Sequence, residues 1–133
     1  MNEPILIIED NVLNLKLARI ALEMEGFEIR TAIDAQDGLN VLESYAPRLI
    51  LMDIQLPGMD GLKLTRKLKS DRRFHHIRIV AITACAMKGD REKMLAAGCD
   101  AYLAKPVEPK VIVETIRNCL QKDAEKTCGP VIA

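Results

Sequence analysis

The sequence predicts an α/β fold, a five-stranded parallel sheet with helices on both faces. Three observations carry that prediction. Short apolar runs alternate five times with longer amphipathic ones, the rhythm of strand–helix repeats. Leu49-Ile50-Leu51-Met52 is apolar without alternation, as expected of a strand covered on both sides. All the runs but the second end in a polar or charged residue, and open parallel sheets bind ligands beyond the carboxyl ends of their strands.

The elements follow in order. Ile5-Leu6-Ile7-Ile8 reads as the first strand and ends in Glu9-Asp10. Val12 to about Glu25 reads as a helix, with Asn11 as its cap and Gly26 as its left-handed stop. Leu13, Leu17, Ile20, Ala21 and Met24 share one face of it. Leu13 and Leu17 are expected in the core, whereas Leu15 is the better candidate for exposure. Phe27 to Ala32 alternates with period two and reads as a strand, and Ala35 to Ser44 is helical again. After the third strand and Asp53, Pro57-Gly58-Met59-Asp60-Gly61 is turn chemistry. A short helix over 62–69 precedes a fourth strand, Ile77 to Ile82, which ends in Thr83. A fourth helix runs from about Gly89 to Ala97 and closes at Gly98. Ala101 to Ala104 forms the fifth strand and ends in Lys105-Pro106. The last helix runs from Glu108 to about Lys122, with Ile112, Ile116, Cys119 and Leu120 inside. The stretch 123–133 has no period and reads as a flexible tail.

Composition narrows the function classes. The 133 residues suit one domain. Nineteen basic and nineteen acidic residues cancel, which argues against a dedicated DNA-binding or membrane-surface protein. Aromatic residues are 3% with no Trp, too few for stacking platforms on single-stranded nucleic acid. The four cysteines make no C-x-x-C pair, and His75-His76 lie far from each of them in sequence. A structural zinc site is therefore unsupported. No signal region or membrane span is evident, so a reducing cytoplasm with free thiols is expected.

The strand ends hold the chemistry. Glu9, Asp10 and Asp53 would bring three carboxylates to one rim, joined by the Thr83 hydroxyl and the Lys105 ammonium. Clustered carboxylates are hard oxygen ligands and suit Mg²⁺. A hydroxyl and an ammonium suit the oxygens of a phosphoryl group. No glycine-rich phosphate loop is present, so a nucleotide substrate is not expected. Single acids at strand ends are more often helix caps or turn residues. That reading is preferred for Asp34, Asp60, Asp71 and Asp100.

The segments Ile5–Asn11 (ILIIEDN), Leu49–Gly61 (LILMDIQLPGMDG), Ile79–Ala84 (IVAITA) and Ala97–Pro106 (AGCDAYLAKP) together resemble the receiver domain of two-component response regulators. EDN-x-x-N over 9–14 and the loop over 55–61 look most similar to stand-alone or phosphorelay receivers. The resemblance covers about Pro4 to Lys122 and implies a flavodoxin-like (βα)5 sheet of order 2-1-3-4-5, with a receiver domain over 1–122. It implies that Asp53 accepts the phosphoryl group and that Asp10, Glu9, Asp53 and the Gln55 backbone carbonyl hold Mg²⁺. Thr83 and Lys105 would contact phosphoryl oxygens, and the Lys105–Pro106 bond would be cis. Gln55 and Cys85 would tune access of the hydrolytic water, and Thr83 and Tyr102 would form the switch.

The partner implied upstream is a sensor histidine kinase or a histidine phosphotransfer protein. Downstream, a protein would bind the face made by helix 4, strand 5 and helix 5. Neither a membrane nor a DNA-binding domain is expected, and the chain would be a monomer or a phosphorylation-linked dimer. Such a protein assists its own modification and is not a turnover enzyme. Two other readings stay open: a Mg²⁺-dependent phosphatase and an interaction module with a vestigial site. The phosphatase reading expects a second Asp two residues after the nucleophile, where Gln55 stands, and the vestigial reading expects a lost acid or lysine.

Overall fold

Apolar strands flanked by capped amphipathic helices dictate the architecture of the computed structural model, which describes residues 3–84 and 88–121. Strands β1 (Pro4–Ile8), β2 (Glu28–Ala32), β3 (Leu49–Asp53), β4 (Arg78–Thr83) and β5 (Ala101–Ala104) alternate with five helices. The helices are α1 (Val12–Met24), α2 (Ala35–Leu42), α3 (Gly61–Lys69), α4 (Lys88–Ala97) and α5 (Pro109–Gln121). All strand pairs are parallel, in the order β2-β1-β3-β4-β5. The chain moves outward one way from β1 to β2 and the other way from β3 onward. The carboxyl ends of β1 and β3 therefore flank the crevice where the winding reverses.

Strand alternation divides the core in two. Leu6, Ile8, Ile50, Met52, Ile79, Ala81 and Tyr102 pack with Leu42, Leu64, Leu68 and Met94 beneath α2, α3 and α4. Ile5, Ile7, Leu49, Leu51, Val80, Ile82 and Leu103 pack with Ala18, Leu22, Ile112, Ile116 and Cys119 beneath α1 and α5. Truncating a fully buried leucine such as Leu64 to Ala costs about 2–5 kcal/mol. Caps fix the helix starts. The Asn11 side chain accepts from the Asn14 N–H at 2.9 Å, Asp34 from Asp37 at 2.7 Å and Asp60 from Lys63 at 2.8 Å. Gly26 and Gly98 follow α1 and α4 with φ of +95° and +109°.

The face of α1 is a correction. Leu13, Leu17 and Met24 are 64, 50 and 80% exposed, and Ile20 is exposed as well, while Ala18 and Leu22 are buried. Leu15, expected outside, packs against the core. The helix carries two apolar stripes, and the one containing Ala18 lets its backbone approach the sheet closely. Asp100 is a second correction. It is not a cap or surface turn residue but a buried carboxylate that accepts from the Ile79 N–H at 2.8 Å and from Lys69 Nζ at 3.1 Å. Arg78 stands 3.5 Å from its other oxygen. The thiol expectation holds at Cys99, which is free and buried, but Cys119 is disulfide-bonded. The tail expected over 123–133 and Cys85 lie outside the described residues. No helix among the described residues is long and apolar enough to cross a membrane.

Candidate functional site

The crevice at the ends of β1 and β3 collects the acids. Glu9 follows β1, where its N–H donates to the Ala32 carbonyl of β2 at 2.9 Å. Asp53 is the last residue of β3. Both are buried, at 5 and 3% exposure, whereas Asp10 is open to solvent. One oxygen from each of Glu9, Asp10 and Asp53 falls within 4.8 Å of the others. The carboxylates are held from behind by main-chain donors. The Asn11 N–H donates to Glu9 Oε2 at 3.1 Å, and the Gln55 N–H donates to Asp53 Oδ1 at 2.9 Å.

Lys105 reaches the same place from the end of β5. Its Nζ lies 3.1 Å from Asp53 Oδ2 and 3.5 Å from Glu9 Oε1. Its backbone N–H donates to the Thr83 carbonyl at 2.8 Å, and the Lys105–Pro106 bond is cis. Thr83 ends β4, one residue beyond Ile82, the register partner of Asp53. By alternation it shares the face of Ile79 and Ala81, where Tyr102 is buried. The strand ends thus bring Glu9, Asp10, Asp53 and Lys105 into one cup, with Thr83 on the neighbouring strand. Tyr102 lies deeper in the sheet, and Gln55 is exposed.

A close approach seats this rim. A Cβ on Gly61 would come 2.7 Å from the Asp53 carbonyl oxygen and 2.7 Å from Ile54 Cα. Only glycine lets α3 begin so near the strand end. The Gly61 N–H donates to the Ile54 carbonyl at 2.8 Å, closing the loop that presents Asp53 and Gln55.

Three carboxylates face one ammonium, so the cup holds excess negative charge. Burial, reinforced by the neighbouring Asp53 carboxyl, pushes Glu9 up to about 7. Burial works against the Lys105 ammonium, but its bonds to Asp53 and Glu9 outweigh that and raise its pKa. A cluster of hard oxygen donors short of positive charge could coordinate a divalent metal.

Sequence reasoning missed the apolar side of the site. A cavity of about 430 Å³ runs from Glu9, Asp53 and Lys105 to Leu17, Val107 and Pro109. The signal that could have found it is Ala18, the small residue that selects the inward stripe of α1 and leaves Leu17 at the cavity wall. His75 and His76 are exposed and join no group of metal ligands among the described residues.

An (βα)5 sheet with an acidic cup and a lysine at its rim defines a class. The family model "Response regulator receiver domain" matches residues 5–117, so the chain belongs to the response regulator receiver family. Its acidic cluster is positioned for metal-assisted phosphotransfer, and receiver domains act as phosphoacceptor signalling modules rather than as turnover enzymes. The chain is 42% identical over 120 residues to the polar-differentiation response regulator DivK of Brucella ovis, covering 90% of this chain and 98% of that one. It superposes on a CheY-like receiver protein of Methanospirillum hungatei with a TM-score of 0.85 and 33% identity, covering 92 and 97% of the two chains. It also matches the receiver domain of the sensor histidine kinase PA1611 of Pseudomonas aeruginosa, solved with magnesium in its active-site cleft. There the TM-score is 0.80 and the identity 32%, over 88 and 96% of the two chains. Family membership implies partnership with a histidine kinase or phosphotransfer protein.

Proposed function

We propose that Asp53 is the phosphoacceptor and that residues 1–122 form the unit that receives the phosphoryl group from a phosphohistidine. The supporting observation is the fixed pose of its carboxylate, with one oxygen on the Gln55 N–H and the other on the Lys105 ammonium. In this reading Glu9, Asp10, Asp53 and the Gln55 backbone carbonyl hold Mg²⁺, and their all-oxygen chemistry fits that ion. When bound, Mg²⁺ offsets the negative charge of the carboxylates and the incoming phosphoryl oxygens.

The Asp53 carboxylate attacks phosphorus in line. An O–P bond forms, the N–P bond to the partner's imidazole breaks, and the imidazole departs with the bonding electron pair. Lys105 and the Thr83 hydroxyl take up charge on the equatorial oxygens. Water later cleaves the aspartyl phosphate. The new charge draws Thr83 toward the phosphoryl group. Tyr102, on the same sheet face, responds to the space Thr83 vacates and alters the surface of α4, β5 and α5 read by a downstream protein. Crystal structures with and without a phosphoryl mimic test this step, and one unchanged Tyr102 rotamer overturns it.

The donor docks on α1. Leu13, Leu17, Ile20 and Met24 form an exposed apolar stripe whose Leu17 borders the cavity leading to Asp53. A helix carrying the phosphohistidine would cover that stripe and place its imidazole over the cup. Incubation with acetyl phosphate and Mg²⁺ followed by intact-mass measurement tests the acceptor assignment. A gain of one phosphate that disappears in Asp53→Asn supports it, and a gain that persists overturns it. Steady phosphoester turnover without accumulation would establish the phosphatase alternative.

A further inference from the structure

Charge is unevenly spread over this neutral chain. Seven of its nineteen lysines and arginines fall between 63 and 78, against a single acid, Asp71. Three of the seven are engaged within the fold, since Lys69 and Arg78 pair with Asp100 and Arg73 pairs with Asp71. Lys63, Arg66, Lys67 and Arg72 are exposed, and among the described residues they form no ion pair. Exposed His75 and His76 adjoin them.

The fold explains only part of this patch. Cations in the last turn of α3 complement the helix dipole, which accounts for Arg66 and Lys67. Lys63 stands in the first turn, where the same dipole opposes positive charge, and Arg72 lies beyond the helix. Among the described residues no acid pairs with either of them. The surface is also strictly polar. Leu64, Thr65 and Leu68 are buried, Leu62 and Phe74 pack against the core, and no large apolar residue of 61–78 is exposed. A helix that enters a bilayer needs an exposed apolar face, and a single-stranded nucleic acid needs exposed aromatic rings. Four free cations would also leave duplex binding weak at physiological salt. Carboxylates of a polypeptide suit the patch better, because Arg66 and Arg72 can take them bidentately.

We propose that α3 and the turn after it form an electrostatic docking surface for an acidic polypeptide segment. Because α3 covers the sheet face opposite α1, such a partner binds while the α1 side is occupied. Binding of a labelled octaglutamate peptide to the full chain, followed by fluorescence anisotropy, tests the idea. Wild-type protein should bind at low salt and weaken as salt rises. K63E/R66E/K67E/R72E should bind about tenfold more weakly or worse, while the neutral K63Q/R66Q/K67Q/R72Q falls between. Circular dichroism and acetyl phosphate labelling of Asp53 should match wild type in both variants. Equal peptide binding by the reversed-charge variant overturns the proposal, as does no binding by wild type. So does tighter binding of the wild type to a DNA duplex of about 20 bp or to phosphatidylserine vesicles.

Discussion

Two buried acidic centres lie at opposite ends of the same sheet. At the carboxyl ends of β1, β3 and β5, Glu9 and Asp53 share the Lys105 ammonium, and Asp10 completes the cluster of carboxylates. At the other end of β4, the Asp100 carboxylate meets Lys69, Arg78 and a backbone N–H. The residue types are alike, but the balance is inverted. The Asp100 carboxylate is compensated within the protein and holds α3, β4 and the start of β5 together. Among the described residues the Asp53 centre has one ammonium for its three carboxylates, and the uncompensated charge suits a divalent metal. Burial of acids therefore does not mark function by itself; a deficit of compensation does.

The largest expected effect separates the two centres by chemistry. Asp53→Asn should abolish phosphate incorporation, seen as loss of the mass gain, while leaving the thermal midpoint unchanged or raised because repulsion is relieved. Asp100→Ala should do the reverse. It leaves Lys69 and Arg78 without their shared carboxylate and should cost about 3–5 kcal/mol in urea unfolding, with labelling of the remaining folded protein retained. If Asp100→Ala is neutral in stability, the contrast fails.

Titration sharpens the comparison. The folded-state pKa of Glu9, about 7, lies above its ordinary value near 4.5. Between those pH values the folded protein keeps a proton that the unfolded chain has lost. Metal-free stability should therefore fall as pH rises from about 4.5 to about 7. Saturating Mg²⁺, which binds the ionised carboxylate, should flatten the decline. Denaturant titrations at several pH values with and without Mg²⁺ measure it, and Glu9→Gln should remove the slope.

The smallest stability effect concerns α1. Leu17→Ala should change stability by about 0.5 kcal/mol or less, since its side chain is half exposed. It should nevertheless slow phosphotransfer from a phosphohistidine protein while leaving labelling by acetyl phosphate intact. Leu22→Ala, in the core, should cost about 2–5 kcal/mol.

What could be read from residues alone follows the same physics. The strands were legible because a central parallel strand has to be apolar on both sides, as Leu49 to Met52 are. The cup was legible because parallel topology sends every strand's carboxyl end to one rim, so Glu9, Asp10, Asp53 and Lys105 could be placed together before any coordinates, whereas Thr83 stands on the neighbouring strand. The orientation of α1 was not legible, because Leu13-Leu17-Ile20-Met24 and Leu15-Ala18-Leu22 both satisfy helical periodicity and only packing chooses between them. Asp100 was missed for a related reason. Its cations come from Lys69 and Arg78, distant in sequence, and a lone acid after Gly98-Cys99 has the local signature of a turn.

The contact at Gly61 gives the site a mechanical constraint separate from its electrostatics. The atoms a methyl group would strike there belong to the main chain of Asp53 and Ile54, which cannot swing aside as a flexible side chain can. A change at 61 would leave every charge of the cup in place and still move the main chain that carries Asp53. The position of Asp53 is thus set partly by a residue with no side chain, eight positions along the chain.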